Sequence, residues 1–350
     1  MTPNEMAGTS IGLILAGGIG LGAFQAGLFE ALQEESGLRI EVVAGSSIGA
    51  INGAIIAGNA PENRLAMLSR FWQRVETETF AALPNFMEND GWHKVQSITS
   101  TIMARIGGVP GLLRPSAVAF TKAGCGPSLY DASPTRQTLE ELVDFGLLNS
   151  GSVRFCLCAT DIETGEPVFF DTHAGDRITP AHILASGALM PNLPVVEIDG
   201  RFFSDGGLSA NAPMEPFLSS ERQGDLPRWM VLADLFTRRG APPQSLAEAA
   251  ERANDLKYAM QTHVRLAGLV RERRLEAAAP QKSGGRGTDL IVVDHHEPDE
   301  PSRMEKVFDF SRATLRRRWF AGREAAQAAL EQIRKGGAEA APGLRVHDLT

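Results

Sequence analysis

The stretch Glu41 to Ala54, E-V-V-A-G-S-S-I-G-A-I-N-G-A, joins an apolar run to a segment of small residues through two adjacent serines. The apolar run ends at Ala44 and predicts a buried strand, and the small residues from Ile48 onward predict a helix. Between them, Gly45-Ser46-Ser47-Ile48-Gly49 fits the G-x-S-x-G pattern of a strand-turn-helix elbow, which exposes a nucleophilic serine at its centre. The pattern indicates Ser47 as the nucleophile, and helix capping by the two serines is the alternative.

The segment before this elbow has the same alternation of strand and helix. Ile11 to Ala16 is apolar and stops at Gly17-Gly18, and Gly22 to Gln33 then has helical spacing. This order favours an α/β fold of three layers, with a mainly parallel central sheet and helices on both faces. Further strand signals lie at Val153–Ala159, Val168–Asp171, Arg201–Ser204, Trp229–Leu235 and Leu290–Val293. Helix signals lie at Ile48–Val75, Pro180–Ala188, Leu246–Ala279 and Phe310–Ile333.

Two interruptions divide the rest of the chain. Prolines and glycines interrupt the apolar fragments of residues 77–128, from Thr77 to Ser128. This pattern predicts an insertion that forms a lid, lines a pocket for an acyl chain or adds to the hydrophobic core. The segment S-G-G-R-G, Ser283 to Gly287, is the strongest linker signal. Because a strand signal follows this linker, we expect residues 236–350 to be a mostly helical C-terminal extension packed on a core of residues 11–235.

The composition excludes several classes of protein. The net charge of −8 and the pI near 5.5 argue against a nucleic-acid partner, because phosphate binding needs a surplus of Lys and Arg. Cys125, Cys156 and Cys158 lack the spacing of a zinc site and indicate reduced thiols. The first residues lack the positively charged segment that begins a secretory signal peptide. The run Ile11–Phe29 is long enough to span a membrane, but its six glycines make a continuous helix unfavourable. We therefore expect a cytoplasmic protein.

A nucleophilic serine needs a base, and two routes are open. One is a histidine, since the order serine, acid, histidine of α/β-hydrolases admits His263 or His295. The other is a carboxylate that takes the proton directly. Asp205 ends a predicted strand in F-F-S-D-G-G, where two glycines allow a sharp turn that faces the acid inward. An ordinary Asp-Gly hairpin turn is the alternative at this position.

A glycine-rich turn, Gly17-Gly18-Ile19-Gly20-Leu21-Gly22, follows the first predicted strand. Successive N–H groups of such a turn can point to one place, which suits an oxyanion or a phosphate. A dinucleotide-binding G-x-G-x-x-G would need a third glycine where Ala23 stands, and the G-K-S/T of a P-loop is absent from the sequence. The turn is therefore more typical of an oxyanion site than of a nucleotide site.

Taken together and in this order, these segments resemble the patatin-like phospholipase family of serine acyl hydrolases. Leu13–Gly27 is similar to the glycine-rich oxyanion loop and helix of that family, and Ala44–Ala54 is similar to its nucleophile elbow. Ala159–Glu166 and Ala185–Pro213 are similar to its second half. Asp309–Gly322 resembles a C-terminal segment of some bacterial members.

The resemblance implies a lipid acyl hydrolase that cleaves carboxylic esters of phospholipids or other acyl lipids through an acyl-enzyme. It assigns Ser47 as the nucleophile and Asp205 as its base, without a histidine, a metal or an organic cofactor. The implied oxyanion hole consists of backbone N–H groups of Gly17, Gly18, Ile19 and Gly20. A Ser-His-Asp esterase and an inactive lipid-binding scaffold are the alternatives, and the oligomeric state is left open.

Two residues depart from the family pattern. Ile19 stands where the family commonly has a third glycine, and a β-branched residue is expected to resist a positive φ there. Leu21 stands where the family often has Lys or Arg, so a cation that would attract a phosphate head group is missing at this position. The second departure favours an esterase or lipase over a phospholipase.

A basic and aromatic cluster, Arg316-Arg317-Arg318-Trp319-Phe320, lies in the last predicted helix. Such a cluster could make peripheral contact with anionic lipid at a membrane surface. The alternative is the solvated face of a helix, which is the more common role of a charge cluster.

Overall fold

The computed structural model describes residues 6, 8–77, 90–116, 128–222, 225–279, 287–295, 306–336 and 342–349, without the side chains of 90–97. Residues 78–89 and 117–127 of the predicted insertion, Cys125, and residues 283–286 of the predicted linker lie outside this description. The strands are β1 (Thr9–Leu15), β2 (Leu38–Ser46), β3 (Arg114–Pro115), β4 (Tyr130–Asp131), β5 (Arg154–Asp161), β6 (Pro167–Asp171), β7 (Val196–Ile198), β8 (Arg201–Asp205), β9 (Trp229–Asp234), β10 (Thr288–Asp294) and β11 (Leu344–Asp348). The helices are α1 (Ala23–Glu34), α2 (Ile48–Ala57), α3 (Pro61–Arg74), α4 (Asp90–Gly107), α5 (Ser133–Leu142), α6 (Phe145–Leu148), α7 (Pro180–Ser186), α8 (Glu215–Leu218), α9 (Leu246–Ala278) and α10 (Arg312–Lys335).

A large central sheet organises the chain. Its strand order is β11-β10-β9-β1-β2-β5-β8-β7, and β6 pairs with β5 outside this path. The pairs from β11 to β5 are parallel, whereas β6 and β8 pair antiparallel to β5 and β7 pairs antiparallel to β8. Helices flank this sheet, so the predicted α/β class with a mainly parallel sheet is confirmed.

The first βαβα unit follows the sequence pattern closely. The glycine-rich run predicted not to span a membrane forms β1, a 3₁₀ turn at Ile19–Gly22 and α1. The single helix predicted from Ile48 to Val75 is wrong, because α2 ends at Ala57 and α3 begins at Pro61. Proline at the first position of a helix is favourable, whereas inside a continuous helix it removes a backbone hydrogen bond. No helix among the described residues is long and apolar enough to cross a membrane.

The C-terminal residues complete the sheet and cover one of its helices. β10 pairs with β9, and β11, which the sequence patterns did not predict, pairs with β10. Helix α10 packs along α1 at very short range, because a Cβ at Gly27 would overlap the carbonyl of Trp319 and one at Gly322 would overlap the carbonyl of Phe24. Two glycines therefore permit this helix crossing.

Replacing Gly322 with alanine is expected to destabilise the protein by about 1–3 kcal/mol, because the new methyl group displaces a backbone carbonyl of α1. The control is Gly268→Ala in α9, where a Cβ would meet no atom within 4 Å. That change is expected to stabilise by about 0.5–1 kcal/mol, because alanine favours a helix more than glycine does. Chemical denaturation measures both values, and equal effects of the two substitutions would contradict the close crossing.

The basic cluster on α10 is divided between surface and interior. Arg316 and Arg317 are exposed and Phe320 is 61% exposed, which fits both a membrane contact and a solvated helix face. Arg318 fits neither interpretation, because its side chain is fully buried at 0% exposure. Trp319 faces α1 and donates its indole N–H to the Glu30 carboxylate at 2.7 Å. Membrane contact by this cluster stays a prediction.

Candidate active site

Ser47 occupies a strained turn between β2 and α2. Its φ of 54° and ψ of −122° place it outside the conformations that serine ordinarily adopts, at a cost of about 1–3 kcal/mol. Gly45 and Gly49 make the turn possible, because a Cβ at Gly45 would overlap the backbone of Gly49. The Ser47 N–H is fixed by a 3.0 Å hydrogen bond to the Ser186 hydroxyl of α7. This is the tight strand-to-helix elbow that the sequence pattern predicts.

Ser46 has a different environment from its neighbour. It is 0% exposed, and its hydroxyl donates to the carbonyl of Ala210 at 2.7 Å. That bond ties the end of β2 to the segment that follows β8. Ser47, in contrast, lines the cavities described below. The structure therefore separates the two serines into one that holds the elbow and one that faces open space.

Asp205 lies at the end of β8 and is buried beside Ser47. One carboxylate oxygen accepts the Gly207 N–H at 2.7 Å, and Thr160 donates its hydroxyl to the Asp205 carbonyl at 2.8 Å. Burial raises the pKa of the carboxyl from 3.8 to about 6, although hydrogen bonds from the Ser47 side chain and the Gly207 N–H and the charge of Lys257 lower it. The arrangement places a carboxyl group with a raised pKa next to Ser47.

The segment after Asp205 is held in place by α9. The Gln261 side chain accepts the Asn211 N–H at 2.7 Å and donates to the carbonyls of Gly207 and Leu208 at 3.3 and 3.1 Å. Asn211 in turn donates its side-chain amide to the carbonyl of Gly17 at 3.3 Å. A helix of the C-terminal region thus links the carboxylate segment to the glycine-rich turn.

The glycine-rich turn differs from the prediction at two residues. The N–H of Gly17 donates to the carbonyl of Asn211 at 3.0 Å, so this group is not available to an oxyanion. Among the described residues, the N–H groups of Gly18, Ile19 and Gly20 make no hydrogen bond. Ile19 has a φ of 50° despite its branched side chain. The left-handed conformation costs about 1–2 kcal/mol, and the contacts around the turn must offset this cost.

Two cavities meet at Ser47 and Asp205. The first is apolar and extends beneath Ile48 of the elbow. Its other apolar lining residues are Ile19, Ile51, Leu112, Leu113, Ala132, Ile183, Leu184, Leu189, Leu193 and Phe308. The second cavity is more polar and also contains Gly17, Gly18 and Ile19. A molecule bound at the junction would have apolar space on one side and polar groups on the other.

The polar cavity contains residues that the sequence patterns did not indicate. Arg105 of α4 lies with its guanidinium 3.8 Å from the centre of the Phe308 ring and donates to the Asn192 side chain at 3.4 Å. Asn254 and Tyr258 come from α9. Burial and the nearby Asp205 carboxylate raise the pKa of Tyr258. None of these residues stands in a motif, so local sequence carries no signal for them.

The histidines considered as bases lie elsewhere. His263 lines a separate groove between α9 and the edge of the sheet. His295 is buried with its ring edge-on to Phe24, the ring centres being 5.4 Å apart. Neither lines the cavities that hold Ser47. The described residues also contain no group of three or more His, Cys, Asp or Glu side chains placed to bind a metal ion.

Comparison with known protein families finds a match for this chain. Residues 13–218, more than half of the chain, match the family described as patatin-like phospholipase. The chain belongs to the patatin-like phospholipase family. Two curated proteins match over short segments: Lysophospholipase nte1 of Aspergillus terreus at 47% identity over 56 residues, and Neuropathy target esterase sws of Drosophila persimilis at 37% over 78 residues. These matches cover 16% and 22% of this chain but only 4% and 5% of the relatives.

Solved structures match over most of the chain at low identity. VipD from Legionella pneumophila aligns with 93% of this chain and 67% of its own, at 14% identity and a TM-score of 0.40. Human GIVD cytosolic phospholipase A2 aligns with 93% of this chain and 60% of its own, at 12% identity and a TM-score of 0.45.

Proposed function

We propose that this patatin-like protein hydrolyses carboxylic ester bonds of acyl lipids through a dyad of Ser47 and Asp205. The observation that carries the proposal is the position of both side chains at the junction of an apolar and a polar cavity. The strained elbow supports a role for Ser47 as the nucleophile, and burial of Asp205 supports its role as a base.

The reaction would proceed in two acyl transfers. Ser47 Oγ attacks the ester carbonyl carbon while the Asp205 carboxylate takes the hydroxyl proton. The tetrahedral intermediate collapses, the bond to the alcohol breaks, and the proton passes from Asp205 to the leaving oxygen. Water then attacks the acyl-enzyme with Asp205 again as the base, which releases the fatty acid and restores the serine.

The oxyanion would be stabilised by the turn between β1 and α1. We propose the N–H groups of Gly18, Ile19 and Gly20 as candidate donors, because they have no hydrogen-bond partner among the described residues. Gly17 is left out because its N–H is already bonded to Asn211. One such donor typically contributes on the order of 3 kcal/mol to catalysis, so the conformation of Ile19 is expected to affect the rate strongly.

The two cavities suggest how a lipid would be oriented. The acyl chain would enter the apolar cavity, to which Leu112 and Leu113 of the predicted insertion contribute. The alcohol part would face Arg105, Asn254 and Tyr258. We propose that residues 98–116, the part of the predicted insertion whose side chains the structure describes, form part of the substrate wall. We also propose that 236–350 is an extension of the 11–235 hydrolase core that contributes residues to the site.

A fluorophosphonate probe tests the proposed function directly. The folded wild-type protein is expected to be labelled on the peptide that contains Ser47 and to hydrolyse a series of p-nitrophenyl esters and phospholipids. Mass spectrometry of the labelled peptide distinguishes Ser47 from Ser46. A folded protein that neither reacts with the probe nor hydrolyses any ester would instead fit an inactive lipid-binding scaffold.

The rate is expected to depend on pH through Asp205. The base must be ionised to accept a proton, so kcat/KM should rise about tenfold per pH unit below pH 6 and level off above it. Asp234, whose pKa burial raises to about 7, lines a separate groove and is not expected to affect this profile. Initial rates with an uncharged ester from pH 4.5 to 8.5 give the profile. An inflection near pH 4, the ordinary value for an exposed aspartate, would contradict a buried base.

A further inference from the structure

Arg318 is buried at the place where the C-terminal helix meets the segment before it. One terminal nitrogen of its guanidinium donates to the carbonyl of Asp309 at 3.1 Å and the other donates to the carbonyl of Lys306 at 2.9 Å. We name the residues between them, Lys306–Asp309, the strut. A single buried side chain thus bonds both ends of the strut.

The strut lies directly behind the glycine-rich turn. A Cβ at Gly20 would lie 2.8 Å from the carbonyl oxygen of Val307, 3.2 Å from that of Asp309 and 3.3 Å from the Arg318 guanidinium. Backbone therefore contacts backbone with no room for a side chain between them. The turn cannot move toward α10 unless the strut moves first.

The strut also reaches the proposed site itself. Val307 and Phe308 line the polar cavity together with Ile19 and Ser47. Its first residue is held from α9, since the Lys306 N–H donates to Glu251 at 2.9 Å and the Lys306 ammonium donates to Asp255 at 2.7 Å. The strut is thus fixed between the two C-terminal helices and the glycine-rich turn.

We infer that Arg318 is a positioning residue which, through the strut, holds Ile19 in the left-handed conformation required by the oxyanion hole. The inference rests on the proposed ester hydrolysis. Ile19 resists this conformation, and the strut is the backbone packed against the next residue, Gly20. When the Arg318 guanidinium is removed, Ile19 leaves the left-handed conformation. The N–H groups of Gly18, Ile19 and Gly20 then no longer point to one place.

The first test is Arg318→Met, which keeps much of the side-chain volume but removes both hydrogen bonds. We expect kcat to fall about 10- to 100-fold with KM within about twofold of wild type, because oxyanion contacts act mainly in the transition state. The control is Arg316→Met, an exposed position on the same helix, with kcat within about twofold of wild type. A folded Arg318→Met protein with the kcat of wild type would overturn the inference.

The second test separates positioning from general stability. Adding Ile19→Gly to Arg318→Met is expected to recover about tenfold of the lost kcat, because glycine adopts a positive φ without strain. An effect of Arg318 on global stability alone would not respond to this change. If Arg318→Met does not fold, Gly20→Ala is the substitute, since its methyl group pushes the turn and strut apart. Wild-type kcat in a folded Gly20→Ala protein would equally overturn the inference.

A third measurement does not depend on activity. Amide hydrogen exchange of the peptide spanning Gly17–Gly22 is expected to be about tenfold faster in Arg318→Met than in wild type, with α2 unchanged. Equal exchange in both proteins contradicts the inference. Absence of hydrolysis and labelling in wild type contradicts the proposed function instead, and faster exchange would then still support the coupling between Arg318 and the turn.

Discussion

Replacing Ser47 with alanine is expected to lower kcat by about 10⁴-fold or more, the largest effect of any single substitution in this protein. The nucleophilic oxygen is lost, and the neighbouring Ser46 hydroxyl cannot replace it, because that hydroxyl is bonded to Ala210 behind the elbow. Loss of a serine nucleophile removes the covalent route as a whole, so the remaining donors give only residual catalysis. Fluorophosphonate labelling should disappear together with ester hydrolysis.

Ser46→Ala is the matched control for this experiment. It removes the hydrogen bond to the buried carbonyl of Ala210 and is expected to destabilise the protein by about 1–3 kcal/mol. Labelling and hydrolysis should persist in the folded fraction. Activity of Ser47→Ala above one tenth of wild type, or loss of labelling only in Ser46→Ala, would show that the nucleophile has been assigned to the wrong residue.

The features that the sequence predicted well are local. The elbow at Ser47 and the alternation that begins at β1 depend on glycine positions and hydrophobic periodicity over some ten residues, which act within one element or turn. The α/β class follows from that alternation, and the family resemblance rests on the same segments. The break before Pro61 is also local, because proline at the start of α3 ends the continuous helix that was predicted from Ile48 to Val75.

The features that the sequence did not predict depend on contacts between distant segments. Three consecutive arginines suggest a solvated helix face, and only packing against the strut buries Arg318. The family resemblance assigns the Gly17 N–H to the oxyanion hole, but the backbone carbonyl of Asn211, almost two hundred residues later, accepts its hydrogen bond. Arg105 and Tyr258 reach the polar cavity from helices whose sequences contain no motif.

Ile19 shows how tertiary contacts override a local preference. The side chain alone disfavours a positive φ, yet the turn has this conformation because its neighbours leave little alternative. A glycine at this position would reach the same geometry without help from the C-terminal helices. The strut therefore compensates for the branched side chain of Ile19. The double substitution of Arg318→Met with Ile19→Gly tests this relation.

Asp205→Asn is expected to lower kcat about 10³- to 10⁴-fold and to stabilise the protein at the same time. An amide can still accept the Gly207 N–H but cannot take a proton from Ser47. His263→Ala is the control for the histidine route and should retain activity, because His263 lies in the groove under α9. The opposite pattern, an active Asp205→Asn protein and an inactive His263→Ala protein, would replace the dyad with a triad.

The gain in stability has a defined sign and pH range. The pKa of Asp205 is raised from 3.8 to about 6 in the folded state, so ionisation of this group destabilises the fold as the pH rises toward and past 6. Between pH 5 and pH 8 the wild-type protein loses about 1.4 kcal/mol of its free energy of unfolding through this ionisation. The Asp205→Asn protein does not lose it, because asparagine does not ionise. The difference in free energy of unfolding between Asp205→Asn and wild type should therefore be about 1.4 kcal/mol larger at pH 8 than at pH 5. Urea denaturation at both pH values measures it, and a difference independent of pH would mean that Asp205 is already ionised at pH 5 and is a poor candidate for the base.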